Sequence, residues 1–559
     1  MVSIVIERGV SEKNNILVYV IQKAIRSFLK SIKNEMGGKE FYRLTSKNRK
    51  AGKSGIAAHG LSQPISLTSV LLGTILDREG IPFSVIDDDN VVNKHGELLK
   101  FAIKKASVMA ISTTYTVEMK TIENLLKFIR SNSEKINPGL KILLGGQGLL
   151  SWMAKDSIGD KLFEQLKLAD YFVFGEADKI FGSLIRRILH GENVSNLEGV
   201  VHKKGNKIIG SPKKIQVDAN EIMSPDWGII KKYKFNNLDF TKEPYPGFAG
   251  IEEGRGCMFR CKFCSYPSLT KFRRKEAKVI TAELQNVHNN GFRGVTFLGA
   301  EFLNPLTFSI PVLSEIGRLR LPVECWAFGR LDVISKRPEL ADLLKEANFK
   351  TIQFGLESGS REILVKMNKK FDPTNMDKAV RLLHDRGIQV KVSIIIGFPG
   401  ETKETLKKTK NVLKKCNFDE IMIHGLSVLS GTPLYENRQE FGIKLTPYGW
   451  AHGTMRTIDL PRHIRDMIIF LTKQTDTSIL NISQNVTPKF FQSNVTENRI
   501  KKGTKIIQSI LCHEWENYRD NGGEKPCRMT LFEELLKIVD FIPLELYGFE
   551  KGNLDMEVS

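Results

Sequence analysis

Three cysteines lie close together near the middle of the chain, and they constrain its fold and chemistry more than any other feature. Cys257, Cys261 and Cys264 form a C-x3-C-x2-C pattern. A closed zinc site or a fully protein-ligated iron–sulfur cluster normally takes four ligands, so three thiolates indicate a [4Fe–4S] cluster with one open iron. A substrate or cofactor can coordinate that iron. The alternatives are a zinc site with a distant fourth ligand, or three structural thiols.

Length, composition and cysteine usage indicate the class of protein and its compartment. The 559 residues, 41% of them hydrophobic, are enough for about two to four ordinary domains. The segment Met1–Glu7 lacks the start of a secretory signal, and no apolar stretch approaches the length of a membrane span. Seven cysteines with three clustered fit a reducing, anaerobic compartment better than a secreted disulfide framework. We expect a cytoplasmic protein.

The chain is strongly basic, with a formal net charge of +20 from 83 Lys and Arg against 63 Asp and Glu. Such a surface attracts nucleic acid, anionic lipid or an acidic protein partner. The basic residues nevertheless occur in short clusters such as Arg273-Arg274-Lys275 and Lys501-Lys502, without a nucleic-acid module. We therefore expect the charge to solvate the surface, and we do not expect a nucleic-acid partner.

The first third of the chain alternates helical and strand patterns. Apolar spacing predicts a helix over 65–79 and a buried strand over 83–87. Further strands are predicted over 108–113, 141–146 and 171–175, and further helices over 117–132 and 179–191. This order predicts an α/β fold with a parallel, doubly wound sheet, whose ligand crevice lies at the carboxyl ends of the strands. The candidate binding residues at these ends are Ser112, Thr113, Gly145, Gly146, Gln147, Gly175 and Glu176.

The cysteine pattern, with Gly254-Arg255-Gly256 before it and Phe263 inside it, resembles the radical S-adenosylmethionine (radical SAM) enzymes. In that family the methionine part of SAM chelates the open iron, and electron transfer cleaves SAM to a 5′-deoxyadenosyl radical. Residues 246–440 alternate strand and helix in the order expected of the family's partial (β/α)6 barrel. The resemblance implies a [4Fe–4S] cluster on the three cysteines, with Phe263 in the SAM site.

Four later segments match family positions that contact SAM. Gly299-Ala300-Glu301 stands where the family has a Gly-Gly-Glu type motif, departing from it at Ala300, and implies that Gly299 and Glu301 hold the methionine amino group. Arg330 matches the arginine near the SAM carboxylate, Glu357 the residue facing the ribose hydroxyls, and Ser393 a residue facing SAM. Without the resemblance, Glu301 reads as an acidic cap after a strand and Arg330 as a surface ion-pair partner.

Other segments extend the match across the barrel. Met367-Asn368-Lys369-Lys370 continues the strand end at Glu357, and the turn Gly397–Thr402 resembles the family's fifth-strand turn. Val428–Glu436 resembles the last barrel strand. A Gly/Pro turn alone is a weak signal, since such turns occur in many α/β proteins. The order of the matches, starting from the three cysteines, carries the interpretation.

The N-terminal strand ends resemble the cobalamin-binding domain that precedes the catalytic domain in cobalamin-dependent radical SAM enzymes. Small hydroxyl and glycine residues there would let the backbone approach the corrin edge and the nucleotide tail. The D-x-H-x-x-G signature of a lower axial histidine is missing, because Ala57-Ala58 precedes His59-Gly60. The resemblance therefore implies cobalamin without that ligand. The alternative is a Rossmann-like domain that binds no corrin.

The chain divides into five predicted parts. They are a leader segment over 1–60, a Rossmann-like domain over 61–195, a hairpin and linker over 196–245, the radical SAM core over 246–440 and a mainly helical capping region over 441–559. The capping region has candidate helices over Pro461–Lys473 and Leu531–Phe541. His452 lies in an aromatic turn, where a structural histidine is favoured over a proton-transfer group.

Taken together, the resemblance favours a cobalamin-dependent radical SAM C-methyltransferase acting on an unactivated carbon. Such a carbon has no lone pair to attack SAM, so a hydrogen atom must be removed before a methyl group is added. Expected partners are SAM, a substrate that is a protein, peptide, lipid or small molecule, and an electron donor such as ferredoxin or flavodoxin. The alternatives are radical ring closure, carbon–carbon coupling or rearrangement, and a metal-stabilised binding module. The RNA methylthiotransferase branch is disfavoured because no cysteine precedes Cys257.

Overall fold

The fold is described from a computed structural model of the chain. The structure describes residues 2–6, 28–30, 32–33, 66–87, 99–114, 119–153, 161–205, 207–233, 247–446, 449–479, 497–516 and 535. The predicted helix over Leu531–Phe541 lies outside these ranges apart from Leu535.

A seven-stranded sheet forms the N-terminal part, in the order β2-β1-β3-β4-β5-β6-β7. Its strands are β1 (Val2–Ile6), β2 (Phe83–Asp87), β3 (Val108–Ser112), β4 (Lys141–Gly145), β5 (Tyr171–Val173), β6 (Val200–Lys204) and β7 (Lys207–Gly210). The first five strands are mutually parallel, and β6 and β7 add as an antiparallel hairpin. The predicted α/β class and the parallel sheet are confirmed.

Two predicted segments have different roles from those expected. Val2–Ile6 lies within the sheet between β2 and β3, although the sequence places it in a leader. Its Val-Ser-Ile-Val-Ile sequence has the β-branched composition of a strand, which the polar segment after it obscures. The hairpin of the 196–245 segment extends the same sheet by pairing with β5. The boundaries of the five predicted parts remain predictions.

Side chains alternate between the two faces of this sheet, and each face belongs to a different core. Val108 and Leu143 pack into the core that also contains the buried residues of the barrel. Met109 and Leu144, their neighbours, pack into a second core beneath the helices of the opposite face. One apolar core is therefore continuous from the N-terminal sheet into the barrel.

The second large sheet is the barrel, with the strand order β19-β15-β14-β13-β12-β11-β8. Its strands are β8 (Phe248–Ile251), β11 (Gly294–Phe297), β12 (Glu324–Gly329), β13 (Phe349–Glu357), β14 (Gln389–Ile396), β15 (Glu420–Gly425) and β19 (Ser478–Ile479). All neighbouring pairs are parallel, and the first six strands follow chain order. This is the predicted partial (β/α)6 barrel, extended at one edge by β19.

Helices connect the strands of both sheets. The N-terminal helices are α1 (Leu67–Arg78), α2 (Met119–Ile136), α3 (Gln147–Met153), α4 (Leu162–Gln165), α5 (Phe181–His190) and α6 (Ile229–Lys232). The barrel helices are α7 (Tyr266–Leu269), α8 (Ala277–Asn289), α9 (Leu306–Leu319), α10 (Leu331–Lys336), α11 (Leu340–Glu346), α12 (Arg361–Lys366), α13 (Met376–His384), α14 (Lys403–Cys416) and α15 (Pro433–Glu436). No helix among the described residues is both long and apolar enough to cross a membrane.

The prediction of the last barrel strand at Val428–Glu436 is wrong. The sixth strand is Glu420–Gly425, and the predicted segment forms a turn followed by the short helix α15. Thr432 caps this helix by accepting a hydrogen bond from the N–H of Tyr435 at 3.2 Å, and Pro433 occupies the first helical position. A threonine cap before a proline starts a helix, and this local signal outweighs the apolar residues around it.

The C-terminal part covers the turn that ends β14. It contains the sheet of β16 (Lys444–Thr446), β17 (Gly449–His452) and β18 (Met455–Arg456), and the helices α16 (Leu460–Gln474) and α17 (Glu497–Glu516). Helix α16 confirms the prediction over Pro461–Lys473. His452 Nε2 lies 2.9 Å from the carbonyl oxygen of Gly397, and its ring stacks on Trp450. These contacts support the interpretation of His452 as a structural histidine.

We expect the carboxyl group of Glu401, in the same turn, to make stability depend on pH. It accepts a hydrogen bond from the N–H of Gly397 at 2.6 Å, but burial raises its pKa from 4.5 to about 8. The native state then binds more protons than the unfolded state between these values, so the free energy of unfolding falls as pH rises through them. Glu401→Gln should remove that contribution. At about pH 9 its free energy of unfolding should exceed that of the wild type by on the order of 2 kcal/mol.

Urea unfolding of both proteins at about pH 5 and about pH 9 measures this difference. Glu404→Gln, an exposed change in the first turn of α14, is the control and should keep the wild-type dependence. Equal pH dependence in Glu401→Gln and the wild type would contradict the prediction.

Candidate active site

The three cysteines lie in a loop that a two-stranded hairpin closes. Strand β9 (Gly254–Arg255) pairs antiparallel with β10 (Arg273–Arg274), so the two ends of the loop are side by side. Gly256 has a φ of 76°, and a Cβ atom on it would overlap the carbonyl oxygen of Lys271. Only glycine fits this close approach. Residues 256–265 form neither helix nor strand, and all three cysteines are partly buried.

Hydrogen bonds between the loop backbone and two distant segments hold the loop in place. The N–H of Lys262 donates to the carbonyl oxygen of Met367 at 2.9 Å, and the side-chain amide of Asn368 donates to the carbonyl oxygen of Arg260 at 2.8 Å. The N–H of Leu434 donates to the carbonyl oxygen of Lys262 at 2.8 Å. Phe263 packs against the main core. The segment after Glu357 that matched the family thus supports the cysteine loop directly.

Burial favours the neutral form of the three thiols. Burial raises the pKa of Cys257 and Cys261 above the usual value, and that of Cys264 to about 11. The positive charges of Lys369 and Arg330 oppose this at Cys261. A metal centre binds thiolates, so its binding here would release protons from these groups.

The described residues contain no group of three or more His, Cys, Asp or Glu side chains that could hold one metal ion. A zinc ion needs sulfur ligands about 2.3 Å from a single centre, which forces them close together. A four-iron cluster binds each thiolate through a different iron and spaces them more widely. Three partly buried thiols on one loop match the donor set of a cluster with one open iron.

Glu357 and Lys369 form a buried ion pair beside the loop. Lys369 Nζ donates to Glu357 Oε1 at 2.9 Å, and both side chains are under one tenth exposed. Glu357 has a φ of 64°, in the left-handed region that side-chain-bearing residues rarely adopt. A Cβ atom on Gly355 would overlap both charged groups, so glycine makes room for the pair. The sequence located Glu357 but did not identify Lys369 as its partner.

Arg330 lies over the cysteine loop. Its guanidinium is 4.3 Å from the ring centre of Phe259, a loop residue, and 5.6 Å from that of Phe371. Its Nε donates to Asp332 Oδ1 at 3.0 Å, and both side chains are buried. The alternative of a surface ion pair is therefore wrong. Within the described part of the chain the two terminal nitrogens donate to no protein group, which leaves the fork available for a carboxylate.

Glu301 is a fully buried acid on the loop after β11. Its Oε1 accepts hydrogen bonds from the N–H of Leu303 at 3.0 Å and the amide of Asn304 at 3.1 Å. Burial raises its pKa to about 7, against the effect of Asn304 and of the positive charge of Arg330. A bound cation would favour its ionised form, as expected for a partner of an ammonium group.

Glu253 is a site residue that the sequence did not predict. It is fully buried, and its Oε2 accepts a hydrogen bond from the N–H of Gly299 at 2.9 Å. Arg274 lies 3.3 Å from its other oxygen and also donates to the backbone oxygens of Glu301 and Asn304. Glu253 therefore ties the Gly299–Glu301 turn to the start of the cysteine loop. The available signal was an acid directly before the Gly254-Arg255-Gly256 lead-in.

The inner wall of the barrel contains a second residue that was missed. Alternate residues of β14 and β15 leave the outer core and face inward, among them Ser393, Met422 and His424. Ser393 Oγ accepts a hydrogen bond from the amide of Gln353 at 3.1 Å. Enclosure lowers the pKa of His424, although the charge of Glu357 opposes this. Strand alternation on a correctly placed sixth strand would have identified His424.

The structure brings five of the predicted N-terminal residues together at one edge of the first sheet. Thr113 Oγ1 donates to the carbonyl oxygen of Gly145 at 2.9 Å, and Ser112 Oγ lies 2.9 Å from Thr114 Oγ1. Gly146 has a φ of 102°, and its α-carbon lies against the backbone of Thr114. Gln147 begins α3 beside them. These contacts shape a compact backbone edge that has little side-chain bulk.

Gly175 and Glu176 are engaged elsewhere. A Cβ atom on Gly175 would overlap the backbone of Ile215. Glu176 contacts the hairpin that closes the cysteine loop, through Arg273 at 2.6 Å and Arg255 at 3.0 Å. Burial raises its pKa, but these two arginines outweigh it and bring the pKa to about 2. The carboxylate is therefore ionised and already neutralised by protein groups.

Comparison with known proteins locates a family match on the barrel. Residues 251–413 match the model of the Radical SAM superfamily. An uncharacterized methyltransferase of Pyrococcus horikoshii is 27% identical over 297 residues, which are 52% of this chain and 62% of that protein. The anaerobic magnesium-protoporphyrin IX monomethyl ester cyclase of Rubrivivax gelatinosus is 23% identical over 56% of this chain and 55% of that enzyme. The chain thus spans less than two thirds of either relative.

A solved structure shows that the likeness in fold extends over nearly the whole chain. The radical S-adenosylmethionine methyltransferase TsrM of Kitasatospora setae, with tryptophan and a SAM analogue bound, superposes with a TM-score of 0.61. The match covers 93% of this chain and 98% of that one, at 14% sequence identity. The two proteins share an arrangement of N-terminal sheet, barrel and C-terminal part.

We expect the Glu357–Lys369 pair to be costly to break from one side. Lys369→Met leaves a buried carboxylate without its cation and should lower the free energy of unfolding by about 3 kcal/mol. Adding Glu357→Gln should recover most of that loss, because the uncompensated charge is then gone. Urea unfolding of the two single variants and the double variant measures the coupling.

Lys366→Met is the control for this pair, since Lys366 is exposed and contacts only the exposed Glu362 among the described ion pairs. Its effect should stay below about 1 kcal/mol. Additive losses in the Lys369 and Glu357 double variant would show that the two groups do not stabilise each other.

Proposed function

We propose that this chain, which carries a radical SAM domain over residues 251–413, is a cobalamin-dependent radical SAM C-methyltransferase acting on an unactivated carbon. The observation that carries the proposal is the convergence of Glu357, Arg330 and Glu301 on a three-cysteine loop at the mouth of an open barrel. A doubly wound sheet packs on that barrel through a common core. We propose that the protein works in a reducing cytoplasm.

The residues present fit a [4Fe–4S] cluster and SAM. Three thiols supply the ligands for three irons and leave one iron for SAM. Arg330 offers an unpaired fork for the SAM carboxylate, Glu301 a buried acid for its ammonium group, and Glu357 a carboxylate for the ribose hydroxyls. When bound, the cluster and SAM would supply a hydrogen-abstracting radical, and cobalamin would supply the methyl group.

The protein's own contribution is to orient the groups that bind the ligands. The buried pairs of Glu357 with Lys369 and of Arg330 with Asp332 fix each charged group before any ligand arrives. Fixed charges need no reorganisation when a polar ligand binds, which is the basis of preorganised catalysis. The inner wall, in which Ser393 is half-buried and His424 is exposed, would line the space in which SAM and substrate meet.

For cobalamin, we propose the edge formed by Ser112, Thr113, Gly145, Gly146 and Gln147. The close backbone packing there leaves a surface without bulky side chains, which suits a large planar ligand. Gly175 and Glu176 are not part of this edge, because Gly175 lies against the backbone of Ile215 and the Glu176 carboxylate is bound by two arginines. The sequence lacks the axial-histidine signature, so we propose no histidine of this chain as a cobalamin ligand.

A second candidate is radical ring closure. The similarity to the anaerobic cyclase of Rubrivivax gelatinosus favours it, over 56% of this chain. The substrate of either reaction is a protein, peptide, lipid or small molecule. The electron donor is proposed to be a ferredoxin or flavodoxin type protein, whose acidic surface would complement the net charge of +20.

Anaerobically reconstituted protein should hold about four irons per chain on the three cysteines, and in the presence of dithionite it should cleave SAM to 5′-deoxyadenosine. Replacing Cys257, Cys261 and Cys264 together by alanine should abolish both, because the other four cysteines are far apart in the sequence. Iron analysis and chromatography of the nucleoside measure the two quantities. Cys416→Ala is the control and should keep both. A stoichiometric zinc site without iron–sulfur absorbance in the wild type would refute the assignment.

Methyl transfer should be detectable before the substrate is known. With methyl-labelled SAM and hydroxocobalamin under reducing conditions, the protein should yield S-adenosylhomocysteine and labelled methylcobalamin. Both would form when SAM gives its methyl group to the reduced corrin. Glu357→Ala should lower SAM cleavage about tenfold and leave iron content unchanged. Deoxyadenosine without any S-adenosylhomocysteine would favour the ring-closure candidate, and failure to bind the corrin would refute the cobalamin assignment.

A further inference from the structure

Four buried charged residues join the N-terminal sheet to the hairpin that closes the cysteine loop. Glu176 and Asp178 follow β5, while Arg255 and Arg273 lie on β9 and β10. Their side chains are between 7% and 13% exposed. Surface ion pairs contribute little because water screens them, but a buried charge is costly unless it is fully paired. These four residues therefore form a structural connection between the N-terminal sheet and the hairpin.

Glu176 is saturated with hydrogen bonds. Its Oε1 accepts from Arg273 Nη2 at 2.6 Å and Thr270 Oγ1 at 2.7 Å. Its Oε2 accepts from Arg273 Nη1 at 2.9 Å and the N–H of Val217 at 3.0 Å, and lies 3.0 Å from Arg255 Nη1. The contact with Arg273 is bidentate, the most specific geometry between guanidinium and carboxylate. No acceptor position remains for an external ligand.

Asp178 holds the other strand of the hairpin in the same way. Arg255 donates to its Oδ2 at 2.8 Å and to its Oδ1 at 3.0 Å, again a bidentate pair. Oδ1 also accepts from the N–H of Met223 at 3.0 Å. The Nε of Arg255 also donates a hydrogen bond to Glu252 Oε2 at 2.9 Å. Arg255 and Arg273 thus each have a bidentate carboxylate partner in the segment that follows β5.

The two arginines stand at the two ends of the cysteine loop. Arg255 is two residues before Cys257, and Arg273 is nine residues after Cys264. The loop between them has no helix or strand until α7. Because its ends are fixed through β9 and β10, a displacement of either carboxylate would move the backbone that carries the thiols.

We propose that Glu176 and Asp178 are positioning residues, an acidic clamp that fixes both ends of the cysteine loop against the N-terminal sheet. Resting on the proposed function for the identity of the two cofactors, the clamp sets the distance and angle between the radical source on the loop and the methyl donor on the sheet. Reacting groups must be held within a few tenths of an ångström for efficient transfer, so a rigid connection between the two sites is required.

Hydrogen–deuterium exchange of the full chain, without cluster, SAM or cobalamin, tests the clamp directly. In Glu176→Gln the amides of 256–271 should exchange about tenfold faster than in the wild type, because Arg273 loses its charged partner. After reconstitution, the same variant should lose cluster absorbance to a chelator about tenfold faster. Glu198→Gln, which breaks an exposed ion pair with Lys213, is the matched control and should behave as the wild type.

Two further variants keep the test decisive. Glu176→Gln combined with Arg273→Gln should be no worse than the worse single variant, since the two residues act as one unit. Thr270→Val removes one neutral hydrogen bond to Glu176 and should accelerate exchange about threefold in a folded protein. This milder variant carries the test if Glu176→Gln does not fold.

Unchanged exchange of 256–271 in folded Glu176→Gln, or in Thr270→Val if Glu176→Gln does not fold, would overturn the clamp. Effects that simply add in the double variant would also overturn it. Loss of hydroxocobalamin binding with an unaffected cysteine loop would instead make Glu176 a corrin contact. Failure of the proposed function has a different signature, since a wild type that binds no corrin or cleaves no SAM leaves the exchange comparison intact.

Discussion

The three-cysteine loop cannot determine its own shape, and the surrounding structure supplies what it lacks. Between the hairpin and α7 it has no regular hydrogen-bond ladder. Its backbone is bound instead by Met367, Asn368 and Leu434, and its two ends by a short pair of strands. Three thiols held in this way can keep a fixed spacing while one side stays open. The barrel strands, the turns after them and the N-terminal sheet each provide one of these supports.

Three buried charged groups around the loop each have a partner of opposite charge, whereas Glu301 accepts hydrogen bonds from neutral groups. Glu357 is matched by Lys369, Arg330 by Asp332, and Glu253 by Arg274. Burial penalises an isolated charge, so such pairs persist only when geometry and hydrogen bonds compensate for lost hydration. The arrangement leaves particular atoms unused, notably the terminal nitrogens of Arg330. A polar ligand can form hydrogen bonds with those unused atoms.

Local periodicity in the sequence predicted the alternating strands and helices of the N-terminal sheet, because such patterns depend on residues close together in the chain. The resemblance to a known family, rather than periodicity, implied the barrel and pointed to the cysteine loop, Glu301, Arg330 and Glu357. The strand at Val2–Ile6 and the helix at Pro433–Glu436 were misassigned, because in each case a neighbouring segment suggested a different reading. Partnerships across long separations, such as Glu253 with Gly299 or Glu176 with Arg273, have no local signature. Glu176 was correctly placed at a strand end, but only tertiary contacts reveal what that end faces.

The apolar core that runs from the N-terminal sheet into the barrel restricts how this protein could be rebuilt or could have diverged. Val108 and Leu143 lie in the same packed interior as barrel residues such as Val295. Close-packed interiors respond to changes of a single methylene group. Grafting this sheet onto another radical SAM barrel would therefore require matched changes on both sides of the shared core. Exchange of whole modules should be rare among such chains. Divergence should concentrate at the strand ends and the inner wall, where substitution does not disturb the shared core.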